Sequence, residues 1–68
     1  MIQLGKYRHY KGNEYEVIGV AKHSETLEDI VVYRKLYGDG GLWARPLSIF
    51  MDDVEVNGMK MPRFEFIG

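Results

Sequence analysis

Three glycine-centred turn signals within 68 residues leave this chain little room for anything but short antiparallel strands. The first is Gly12-Asn13, flanked by Tyr10-Lys11 and Glu14-Tyr15. A two-residue type II′ turn there would set Lys11 opposite Glu14, Tyr10 opposite Tyr15 and His9 opposite Glu16, pairing complementary charge across the strands. The second is Asp39-Gly40, between the β-branched and aromatic run Ile30 to Tyr37 and the returning segment Leu42 to Pro46. Read as a type I′ turn, it places Leu36 against Trp43, Arg34 against Arg45 and Tyr33 against Pro46. The third, Asn57-Gly58, sets Glu55 opposite Lys60 and Val54 opposite Met61.

Two connections are of another kind. His23 to Asp29 is polar and longer than the turns, with Ser24 or Thr26 able to cap a single helical turn. Pro46 to Asp53 begins with proline, lacks strand alternation, and fits one 3₁₀ or α turn that buries Leu47 and Phe50. The strand Glu14 to Ala21 carries Tyr15, Val17 and Gly19 on one face and Ile18 and Val20 on the other, which suits a central or strongly curled strand. No helix is available to cover a sheet, and an open sheet this small would leave a wet face and unpaired edges. The expectation is an all-β fold: a single domain over residues 1–68, a small SH3-like barrel of about five strands with one short helical turn.

The strings Gly5-Lys6-Tyr7-Arg8-His9-Tyr10-Lys11-Gly12, Ala21-Lys22-His23-Ser24-Glu25-Thr26-Leu27-Glu28, Val32-Tyr33-Arg34-Lys35-Leu36-Tyr37-Gly38, Leu42-Trp43-Ala44-Arg45-Pro46-Leu47 and Pro62-Arg63-Phe64 resemble a small bacterial family, the domain-of-unknown-function family 1653. The resemblance covers nearly the whole chain. It implies an SH3-like barrel and carries no activity with it.

Composition excludes several classes. Apolar residues make up 46% of the chain, enough for a folded core, and the longest apolar runs are too short to cross a bilayer. With no cysteine, neither a disulfide nor a thiolate metal cage is available. Nine basic residues against ten acidic give a net charge of −1, which lends no overall attraction to nucleic acid or anionic lipid. A cytoplasmic location with no membrane partner follows as the expectation.

Two constellations remain as candidate sites. Around Trp43, the expected juxtaposition of Arg34 and Arg45 is unfavourable unless an acidic side chain or an anionic ligand answers it. Arg45 precedes a proline, so it is presented from extended, stiff backbone. With the indole beside it, the pair suits stacking and hydrogen bonding to a base, phosphate or carboxylate. The opposing reading has Trp43 filling the core and Glu25, Glu28 or Asp29 neutralising Arg45. The second constellation is the His23-Ser24-Glu25-Thr26 loop, whose side chains can either contact a ligand or satisfy one another. His9 reads as an imidazole held by Glu16. The strand from Lys6 to Lys11 interleaves basic and aromatic residues, with Glu14 and Glu16 placed to answer its charges.

Two histidines are too few for a metal centre without convergent carboxylates, and Ser24 lacks an obvious base and oxyanion hole. The sequence therefore points to a non-catalytic binding module without cofactor or metal, for a small anionic or nucleotide-like ligand. The binding residues expected are His23, Ser24, Glu25, Arg34, Trp43 and Arg45. The alternative is an accessory module that contacts protein or RNA, with an enzyme third.

Overall fold

The computed structural model describes residues 2–68. Its strands are β1 (Gly5–His9), β2 (Glu14–Lys22), β3 (Asp29–Lys35), β4 (Leu42–Pro46), β5 (Asp53–Val56), β6 (Met59–Pro62) and β7 (Phe64–Phe66). One helical turn, α1 (Leu47–Phe50), separates β4 from β5. Five strands form an antiparallel sheet in the order β4-β3-β2-β1-β7, and β5 and β6 form a separate two-stranded ribbon. The chain is therefore all-β with a single short helix, as its turn signals require. Among the described residues no backbone ladder joins β4 to β7, so the expected barrel is not closed by hydrogen bonds, and Arg45 and Phe64 meet across the gap through their side chains.

The curl is legible in β2, whose register against β3 shifts between Val17 and Gly19. The extra residue of this bulge returns the strand to the core after Ile18. Val20 therefore packs against the same core as Val17, while Ile18 is 40% exposed. Strict alternation would have put Val20 outward, and the bulge is why it is not.

Tyr7, Val17, Val31, Tyr33, Phe50, Phe64 and Ile2 form the core. Phe50 is fully buried because α1 turns directly after Pro46 and drops its last residue onto the concave face. There it stacks on Phe64 of β7, with centroids 4.1 Å apart and planes 6° from parallel. Tyr33 of β3 meets both rings, at 5.4 and 5.7 Å. β7, at one end of the sheet order, and β3, next to the other end, thus share one aromatic cluster. Such pairs add about 0.5–1.5 kcal/mol each beyond their buried area.

Two hairpin registers differ from the expected ones by three residues. In the first, Arg8 faces Glu14, Tyr7 faces Tyr15 and Lys6 faces Glu16. The turn is a three-residue loop, Tyr10 to Gly12, closed by the His9 N–H donating to the Asn13 carbonyl. Gly12 takes φ +105°, the conformation this loop type needs at its third position. In the second, Tyr33 faces Trp43, Arg34 faces Leu42 and Val31 faces Arg45. Here Gly38 and Gly40 take the positive φ values, so Asp39-Gly40 is not a two-residue turn. The Asp39 carboxylate instead accepts from the Gly41 N–H at 3.0 Å. The third hairpin has the expected register, with Glu55 opposite Lys60 and Val54 opposite Met61.

An odd shift of register changes which residues share a face, because side chains alternate with period two. That parity rearranges every candidate site residue.

Candidate functional site at the aromatic rim

Directly paired residues in an antiparallel sheet point to the same side. Arg45, opposite Val31, and Trp43, opposite Tyr33, therefore lie on the core-facing side of β4. Arg34 lies on the outer side, between Glu16 and Leu42. The expected Arg34–Arg45 juxtaposition does not exist, since the two guanidinium groups belong to opposite faces. His9 also moves: its neighbour across the sheet is Phe64, and Glu16 faces Lys6 on the outer side.

The other members of the basic first strand are answered by carboxylates. Arg8 sits between Glu14 and Glu65, with an ion pair to Glu14 at 3.5 Å. Lys6 lies directly opposite Glu16. The outer face is thus charge-balanced around β1.

The inner rim is different. The Arg45 guanidinium lies over the Phe64 ring at 5.9 Å and forms no ion pair among the described residues. Arg63 directly precedes Phe64 in the chain. The Nε of Arg63 is shut away from solvent and has no hydrogen-bond partner among the described residues. Leaving such a donor unpaired costs about 1–3 kcal/mol. The His9 ring packs on Phe64 at 4.9 Å, and its Nδ1 accepts the Lys11 N–H at 3.1 Å. A neutral imidazole there carries its proton on Nε2. Burial, followed by the charges of Arg45, Lys11 and Arg63, pushes the His9 pKa below its usual value. Each charge named there is positive.

The rim continues across the sheet. His9 meets Tyr15 edge-on at 6.4 Å, and Tyr15 shares a 2.8 Å hydrogen bond between hydroxyls with Tyr37. Burial and that hydrogen bond push the Tyr15 phenol up to about 12. Lys35 then lies 5.4 Å from the Tyr37 ring and 5.8 Å from the Trp43 ring, held by an ion pair to Asp39 at 3.0 Å. That contact and the Gly41 N–H hold the Asp39 carboxyl below its ordinary value. Trp43 is 53% exposed, so the indole is not core filling.

The His23 loop stands apart from this rim. His23 lies beyond the Lys22–Asp29 pair that ends the β2–β3 ladder. Trp43 stands at the level of Tyr33, four positions away along β3, or about 13 Å. The loop satisfies itself: His23 Nδ1 accepts the Glu25 and Thr26 N–H groups, and Thr26 Oγ1 accepts from the Glu28 N–H. Of the two hydroxyls expected to cap, Thr26 accepts one backbone N–H, and the His23 ring rather than Ser24 takes the other two. The neighbouring groove of about 320 Å³ is lined by Glu28, Asp29, Leu47, Ser48 and Met51. Its two carboxylates repel an anion.

The structure thus brings Trp43 and Arg45 together and leaves Arg34, His23, Ser24 and Glu25 outside. It adds Lys35, His9 and Arg63, which the residue-by-residue reading did not select. Arg63 carried a sequence signal, since a basic residue between Pro62 and Phe64 sits next to a core aromatic. Among the described residues, no three His, Cys, Asp or Glu side chains come together to hold a metal ion. Nor, among the described residues, is any helix long and apolar enough to cross a membrane.

Comparison with known proteins agrees with this architecture. A crystal structure of a family protein from Bordetella bronchiseptica is 39% identical and superposes with a TM-score of 0.90, over 98% of this chain and 88% of that one. No curated protein gives a significant match. Residues 5–66 match the family described as "Protein of unknown function (DUF1653)". The chain belongs to that family.

Proposed function

We propose that this domain is a non-catalytic binding module for a small anionic, nucleotide-like group, held at the rim formed by His9, Arg45, Arg63 and Trp43. The observation that carries this reading is that the Arg45 guanidinium and the His9 ring meet on Phe64 while Arg45 has no carboxylate partner among the described residues, and that the buried Nε of the adjoining residue Arg63 is unpartnered as well. A guanidinium without a carboxylate partner and a buried guanidinium Nε without an acceptor are both satisfied by an anion that reaches them. Guanidinium forks suit phosphate and carboxylate oxygens, and the His9 Nε2–H adds a neutral donor. The half-exposed indole supplies a stacking surface for a planar ring.

Titration of inorganic phosphate, pyrophosphate and 5′-UMP tests the reading by calorimetry and Trp43 fluorescence. Saturable binding is expected for the wild type and loss of at least tenfold in affinity for Arg45→Ala and for Arg63→Gln. Absence of heat and of fluorescence change with all three ligands overturns it.

A further inference from the structure

We infer that the rim is a platform for single-stranded nucleic acid, engaging two or three successive nucleotides. This rests on the anion-binding reading and extends it.

A single phosphate would be held by Arg45 and Arg63, yet the rim runs well past them. It crosses the ends of β1, β2, β3 and β4, four neighbouring strands spanning about 14 Å. Three aromatic rings along it are open to solvent: Tyr10 at 37%, Tyr37 at 40% and Trp43 at 53%. Each has an ammonium group within 6 Å, Lys11 at 5.8 Å from Tyr10 and Lys35 at 5.4 and 5.8 Å from Tyr37 and Trp43. A mononucleotide has one base and cannot use three such rings. A single strand repeats a flat base and a charged linker, which is the pattern of ring and cation found here. Stacking of this kind is worth about 1–3 kcal/mol per base and tolerates any sequence. Small sheets elsewhere stack two or three bases on exposed aromatics.

Charge segregation removes the objection raised by the net charge of −1. Glu14, Glu16 and Glu65 lie on the outer face against Lys6, Arg8 and Arg34. Glu25, Glu28 and Asp29 lie at the far end of the β2–β3 hairpin. At the rim Asp39 is paired with Lys35, Asp52 and Asp53 adjoin Arg63 and Pro62, and Arg45 and Lys11 form no ion pair among the described residues, so Arg45 and Lys11 are the cations open to a strand. A proline-rich peptide is less well matched, because it docks into parallel aromatic slots. Here Tyr15 stands edge-on to Tyr37, at 81°.

The test compares fluorescein-labelled oligo-U and oligo-dT hexamers with 5′-UMP, inorganic phosphate, a duplex of the same length and a proline-rich decapeptide, on the intact chain. Hexamers are expected to bind at least tenfold more tightly than 5′-UMP and more tightly than the duplex. Their affinity should fall with added salt, with a log–log slope of about −2 if three phosphates are neutralised. Trp43→Ala and Tyr37→Ala, both at exposed positions, should each weaken hexamers about tenfold or more. Hexamers no tighter than 5′-UMP overturn the platform and leave the anion reading standing. So does peptide binding in place of hexamer binding, or hexamer affinity unchanged in Trp43→Ala. Failure of 5′-UMP, phosphate and hexamers alike overturns both.

Discussion

The guanidinium of Arg45 lies 5.9 Å from the centre of the Phe64 ring, although β4 and β7 stand at opposite ends of the sheet order. This contact shows where the curled sheet meets itself. Phe64 touches Tyr33, Phe50, His9 and Tyr15 as well, so it joins the core to the rim. Phe64→Ala is expected to cost about 3–5 kcal/mol, a large share of what a domain of this size holds. Phe64→Leu should cost about 1–2 kcal/mol. Urea denaturation of both variants decides; a loss below 1 kcal/mol for the alanine variant would show that β7 is not integral to the core.

Parity of register assigns Arg34 and Arg45 to different faces, and binding must respect that. Arg34→Ala is expected to leave affinity for 5′-UMP within twofold of the wild type, while Arg45→Ala loses tenfold or more. Equal losses in calorimetry would contradict the observed strand pairing.

Tyr15 should ionise later than an ordinary tyrosine, near the value of about 12 set by burial and by Tyr37. Because the folded value lies above the unfolded value of about 10, its contribution is fully present below pH 10. It is lost as pH rises toward 12. Ultraviolet titration at alkaline pH should show a late phenol that moves down in Tyr37→Phe. A Tyr15 signal titrating at the ordinary phenol value of about 10 would refute the hydroxyl pairing.

His9 behaves in the opposite sense along the pH scale. Its folded pKa is depressed by burial and by Arg45, Lys11 and Arg63, so its contribution to stability is present above about pH 6.5. It diminishes as pH falls through the depressed value. Imidazole proton resonances followed by NMR should report a His9 midpoint below the ordinary imidazole value of about 6.5, and Arg45→Ala should raise it. Added phosphate should raise it too, since an anion between the guanidinium groups favours the charged ring.

Gly12 closes the first hairpin at φ +105°, where an L side chain is strained even though space is open around it. Gly12→Ala is expected to destabilise the domain by about 1 kcal/mol or more through backbone strain alone. Thermal unfolding provides the measurement, and an unchanged midpoint would mean the loop adopts another conformation.

The sequence by itself determined the class of structure: glycine turns, β-branched runs and the absence of a helical period leave only short antiparallel strands. It determined the helical turn after Pro46 and the burial of Phe50, because proline stops strand pairing and the following apolar residues need a core. It set the register of the Asn57-Gly58 hairpin, where two residues suffice to reverse the chain. The strings shared with the family carried membership as well. Elsewhere, turn residues marked the position of a reversal without its length. One added loop residue exchanges the two faces of a strand, so His9, Arg34 and Arg45 could not be assigned to faces from local signals. Only the tertiary structure brought Phe64 back against β3 and β4, because that contact joins residues far apart in the chain through a bulge-driven curl. Arg45 and His9 meet on Phe64 for the same reason, and no local pattern in the sequence encodes their meeting.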